Sequence, residues 1–100
     1  MLVIEELVRL VKKKGFVDTL QVLTSFKNYK ADKHAFYNAL NKFSYYNSFF
    51  RIKEELLDRG LIKMEANGSK KYIILTEKGL SVYNKLVEVN KLILTNHIKN

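Results

Sequence analysis

Between Lys33 and Lys53 the chain carries no acidic residue, while Lys33, Lys42, Arg51 and Lys53 supply four positive charges. Asn47 and Arg51 stand four residues apart at the end of that window, so a helix would put both on one face. An amide pairs with adenine and a guanidinium with guanine N7 and O6, each through two hydrogen bonds. Ser48, Phe50 and Glu54 share the outward side. There Phe50 can meet a thymine methyl or close the lid of a small core, and Glu54 can accept from cytosine N4, orient Arg51 or stay a plain surface carboxylate. Lys53 lies at the rim, within reach of a phosphate. Tyr45 and Tyr46, just before, offer hydroxyls to phosphates or close the lid of a small core. Lys33, His34 and Lys42, on the helix expected before the turn, are further candidate DNA contacts. A second basic point is Asn67-Gly68-Ser69-Lys70-Lys71, a short polar stretch able to follow a phosphate backbone or enter a minor groove.

Other chemistry finds no support in the residues. His34 and His97 are far apart and outside any His-Glu-x-x-His spacing, and cysteine is absent, so no metal site is expected. There is no Gly-x-Ser-x-Gly elbow, Walker loop or dinucleotide fingerprint. The four glycines fall at expected helix ends and a hairpin tip. The expectation is a binding protein with no cofactor and no enzymatic activity.

The 100 residues carry 18 Lys plus Arg against 10 Asp plus Glu, a net charge of +8, with 47% apolar residues. That is the composition of one globular, basic domain. The longest apolar runs, Met1–Ile4 and Tyr72–Leu75, are four residues, against the roughly 20 a membrane helix needs. Glu5 and Glu6 interrupt the place of a signal peptide's apolar stretch, so a cytoplasmic rather than a secreted protein is expected. A domain this small is near the lower limit for a self-sufficient core, which favours a partner subunit.

The elements that must position these groups follow from periodicity. Leu2–Lys14 reads as a helix opened by Glu5 and Glu6, closed by Lys12–Lys14 and ended by Gly15, and Val17–Tyr29 as a second, followed by a break to Ala31. Asp32 caps a third, Lys33–Phe43, with Phe36, Leu40 and Phe43 as its inner line. After Ser44–Asn47 a fourth runs to Arg59, with Phe49, Ile52 and Leu56 inward and Gly60 just beyond its end. Two short helices joined by about four residues fit a helix-turn-helix. Leu61–Ala66 and Lys71–Leu75 flank Asn67-Gly68, a strong hairpin signal. Thr76 then caps a helix reaching about Ile98.

Arg51-Ile-Lys-Glu-Glu-Leu-Leu-Asp-Arg-Gly-Leu-Ile62 resembles the recognition-helix end of MarR- and PadR-like regulators. Tyr72-Ile-Ile-Leu-Thr-Glu-Lys-Gly79 resembles their second wing strand and Leu-Thr-x-x-Gly helix start. The resemblance, over about residues 17–79, implies a winged helix-turn-helix. The fold class expected is mainly α with a small β-hairpin (α+β), carrying flanking helices at residues 1–15 and 77–98. It also implies duplex DNA as partner, a place at the nucleoid, homodimerisation and repressor-like transcriptional regulation, with the major groove read by the fourth helix (47–59) and the backbone or minor groove met by a wing at 66–71. Small PadR-like domains of archaeal plasmids instead bind partition sites, so a partition or DNA-coating role is the alternative. A winged-helix module docking an unidentified protein is the reading from another class.

The last helix is longer than so small a core can cover. Leu80, Tyr83, Val87, Asn90, Leu94 and His97 follow 3-4-3-4-3 spacing, a coiled-coil-like seam, with Leu86, Val89 and Ile93 beside it. The first helix has a wide apolar arc that includes Val3 and Leu7. A homodimer through both helices is expected.

Overall fold

Lys12 and Lys13 alone separate the first two helices, α1 (Glu5–Val11) and α2 (Lys14–Thr24), in a computed structural model that describes residues 3–44 and 46–95. Gly15 does not end the first helix as expected; it is buried in the first turn of α2. A Cβ there would come under 3.0 Å from the Ser48 carbonyl, so glycine is what lets α2 lie directly on that backbone. Phe16, Leu20 and Leu23, at i, i+4 and i+7, then enter the core.

The second helix stops at Thr24 rather than Tyr29. Thr24 and Ser25 hydroxyls donate to the Gln21 and Val22 carbonyls, each at 2.6 Å. Asn28 and Tyr29 then take φ of 57° and 56°, a left-handed conformation that no α-helix interior accommodates. The expected break is partly a strand, β1 (Lys30–Asp32), with Ala31 fully buried. Three residues are too few for an alternation to register in sequence.

Asp32 caps α3 (Lys33–Leu40) as expected, accepting from the His34 and Ala35 N–H groups at 2.8 and 3.3 Å. Those N–H groups, Ala35's first, hold the carboxyl below its ordinary value of 3.8. The helix is shorter than expected, and Phe43 is 50% exposed instead of continuing the Phe36–Leu40 line. Tight i→i−3 bonds, Lys42 to Ala39 and Phe43 to Leu40, turn it off that line.

After the turn, α4 (Tyr46–Asp58) buries Phe49, Ile52 and Leu56 completely or nearly so. The hairpin pairs β2 (Ile62–Asn67) with β3 (Lys70–Leu75), and β1 joins the other side of β3, giving the antiparallel order β1-β3-β2. Asn67 pairs with Lys70, so the loop is Gly68-Ser69, one residue later than the Asn-Gly signal suggests. Gly68 has φ 64° while Ser69 does not have positive φ, the arrangement of a turn with glycine at its first central position.

Thr76 caps α5 (Glu77–Leu94), accepting from the Gly79 N–H at 3.0 Å and donating to the Gly60 carbonyl at 2.6 Å. A Cβ at Gly79 would come under 3.0 Å from the Leu61 carbonyl, which explains why a glycine stands three residues after this threonine. The expected end of the helix, with His97, lies outside the described residues. Every described residue from Glu88 to Thr95 is exposed, and α5 outruns the body of a molecule measuring 58 × 31 × 25 Å.

Candidate nucleic-acid interface

The buried stripe of α4 dictates what its other side presents. With Phe49, Ile52 and Leu56 inward, Asn47, Phe50, Arg51 and Glu54 are exposed, and Ser48 and Lys53 are half-buried. Phe50 is 46% exposed, yet its ring lies 5.9 Å from both Tyr37 and Phe49, so one edge completes the core while the other faces out. Burial raises the Tyr37 phenol above its usual value. Tyr45 and the side chain of Tyr46 lie outside the described residues.

Arg51 stands apart from the chain's other two arginines. Arg9 pairs with Glu6 at 2.9 Å and with Glu55, and Arg59 pairs with Glu6 and with Glu55 at 3.2 Å. Arg51 makes no ion pair among the described residues, and neither does Glu54, which therefore does not orient it.

Glu55, next in sequence, carries a structural load that sequence reasoning missed. It faces Arg9 and Arg59, with Lys13 at 3.5 Å, and its hydrogen bonds, Arg9's first, hold its carboxyl at about 2. The network clamps α1 onto α4. The Glu6–Arg9 and Glu55–Arg59 pairs are visible in sequence as i,i+3 and i,i+4 spacings. Their joining across 46 residues is not.

Three open hollows surround these elements. The wing tip, with Ser69, Lys70 and Lys71, closes on the start of α3 at Asp32, Lys33 and His34, around about 320 Å³. Asn67 and Gly68 are exposed beside it. The two groups singled out on separate stretches, the wing and the first turn of α3, thus form one basic surface. At the other end of α3, Lys42 shares a hollow of about 340 Å³ with Lys14, Asn41, Phe43, Ser44 and Ser48. The third hollow, about 420 Å³, lies between Lys12–Gly15 and Ser48 and Arg51. Lys12, Lys13 and Lys14 were expected only to close the first helix. No periodicity marks them as neighbours of Arg51, because that neighbourhood arises from the Gly15–Ser48 contact.

The expected partner face is divided. Leu80 and Tyr83 are half-buried against the protein's own core, as are Val82 and Leu86. Val87 is half-buried and Asn90 exposed, and both border a hollow of about 530 Å³ between α2 and α5. The strongest apolar exposure falls on Val89, Leu92, Ile93 and Leu94, at 50–75%, and on Val3 and Ile4 at 100% and 56%. Leu92 was not singled out in sequence. Leu7, 40% exposed, joins Val82, Leu86 and Val89 around an apolar groove of about 280 Å³ between α1 and α5.

Among the described residues no group of three His, Asp or Glu is placed to hold a metal ion, and no helix is long and apolar enough to cross a membrane. Helix, strand, two helices and a two-stranded wing, flanked by a helix at each end, define a winged-helix α+β fold. F93 from STIV, a winged-helix DNA-binding protein, superposes with a TM-score of 0.69 at 22% identity, over 83% of this chain and 94% of that one. No family model and no curated protein matches the chain.

Proposed function

We propose that this chain is a sequence-specific duplex-DNA-binding protein, acting in the cytoplasm at the nucleoid as a homodimeric, repressor-like transcriptional regulator. The observation that carries the reading is Arg51. It is the one arginine of three without an ion pair among the described residues, and it is exposed beside Asn47 on a helix whose inner stripe is fully buried. A rigid helix with a free guanidinium in its first half suits insertion into a major groove. The basic surface of the wing and the start of α3 takes the flanking phosphates. The winged-helix DNA-binding neighbour supports DNA as the partner. The motifs at residues 51–62 and 72–79 are the support for a MarR- or PadR-like role. A second copy covers the exposed apolar residues of α1 and α5, and a two-fold dimer presents two α4 helices to successive major grooves about 34 Å apart. Binding there represses by occluding a promoter.

The test is titration of the wild type and Arg51→Ala against duplex from the protein's own upstream region and a scrambled duplex, at one salt concentration. A preference of about 10³-fold or more for the native duplex, reduced about 10–100-fold in the variant, is expected. Equal, salt-sensitive binding to both duplexes would replace the regulator with a partition or coating protein. Binding to neither would remove DNA and favour a protein-docking module.

A further inference from the structure

We propose that the step between α1 and α2, at Lys12 and Lys14, is a second phosphate-binding element for duplex DNA, separate from the wing and on the other side of α3. The proposal rests on the DNA-binding reading and adds to the contact surface that reading names. Lys14 and Ser48 border both hollows next to the first half of α4. A continuous basic belt therefore runs from Lys12 past Arg51 and Lys14 to Lys42. The wing's hollow opens at the opposite end of α3. Eight residues of helix separate the two basic surfaces by roughly 12 Å, so they reach different phosphates.

Helix stability accounts for Lys12, which stands at the C-cap of α1 where the dipole favours positive charge, but not for Lys14. Lys14 opens α2, the end at which a helix dipole disfavours positive charge, and the first turn has no acidic residue to offset it. Lys12 and Lys14 are exposed and make no ion pair among the described residues, whereas Lys13 is held by Glu55. The step is also fixed in place. The Glu6–Arg9–Glu55–Arg59 network anchors one side, and the Gly15 contact with Ser48 anchors the other. A pre-positioned cluster of unpaired cations beside a groove-reading helix suits a backbone phosphate, which carries charge without sequence information.

The experiment is the salt dependence of duplex affinity for the full chain, in the wild type, Lys12→Gln/Lys14→Gln, Lys12→Arg/Lys14→Arg and Lys70→Gln/Lys71→Gln. Each lost phosphate contact lowers the slope of log affinity against log salt by about 0.9, so the Lys12/Lys14 glutamine pair is expected to lose about 2. The arginine pair is expected to keep the wild-type slope, and the wing pair to lose its own share independently. A wild-type slope in the Lys12/Lys14 glutamine variant overturns the inference while leaving the DNA reading intact. So does an equal loss in the arginine variant, which would mark a structural role. A wild type with no salt-sensitive duplex binding overturns both.

Discussion

The surface around α4 and the far end of α5 are both unfinished, and in opposite ways. Around α4 the surplus is charge: Arg51, Lys12, Lys14 and Lys42 make no ion pair among the described residues, nor do Lys70 and Lys71 on the wing beyond α3. At the end of α5 it is apolar area, with Leu92, Ile93 and Leu94 about three-quarters exposed. Between α1 and α4 the Glu6–Arg9–Glu55–Arg59 network neutralises the two arginines it holds. In the proposed function a polyanion satisfies the first surplus and a second copy's apolar surface the second, so the two regions take two different partners.

The largest effect is expected at the apolar end. Burying an aliphatic side chain is worth roughly 1.5–3 kcal/mol, and a two-fold interface counts each residue twice. Leu92→Glu with Ile93→Glu is therefore expected to weaken self-association by about 10³-fold or more, read by sedimentation across micromolar concentrations. An unchanged association constant would detach α5 from the interface. Arg51→Ala comes next, with a loss of about 10–100-fold in discrimination against the wrong base, corresponding to about 1–3 kcal/mol. Its self-association should match the wild type, and a drop there would undo the separation of the two ends. Lys70→Gln/Lys71→Gln is expected to weaken binding uniformly across sequences and to lower the salt slope by about 2, measured by anisotropy. A change in base preference instead would place the wing in a groove.

The smallest effect belongs to the network between the two regions. Glu55 sits at about 2 when folded, below its ordinary 4.5, so its contribution is complete above pH 4.5 and is lost as pH falls through about 2. Amide exchange in α1 is expected to rise across that window in the wild type. Glu55→Gln should show the loosened α1 already at neutral pH, with only a small fall in Tm, because these pairs are solvent-exposed. An α1 equally protected in the variant would mean that Leu10, its buried side chain, holds the helix alone.

What sequence revealed and what it concealed divide along the range of the interactions involved. The Asp32 and Thr76 caps, the Phe49–Ile52–Leu56 stripe and the hairpin are local, each set within a few residues, and all are found in the structure. The β1 strand depends on β3, about forty residues on, for its existence, and its own three residues carry no pattern. Phe43 follows the periodicity of a helix that stops before reaching it. Gly15 reads as a helix stop because its real constraint, the Ser48 carbonyl, belongs to another element. The candidate interface divides likewise. Asn47, Arg51 and the wing lysines are legible from one helix and one turn. Lys12, Lys14 and Glu55 acquire their surroundings only when α1 and α2 pack on α4. On α5 the heptad spacing is visible, but which turns the core consumes depends on how far the core extends, so exposure shifts to Val89, Leu92 and Ile93.

The most direct test of the central claim is methylation interference on a duplex carrying the preferred site. Methyl groups at guanine N7 block the acceptor that an arginine in the major groove requires. The expected result is that N7 methylation abolishes wild-type binding at guanines in two clusters one helical turn apart, and that Arg51→Ala becomes indifferent to those same methyl groups. Wild-type binding unaffected by N7 methylation anywhere in the duplex would contradict a major-groove reading by α4.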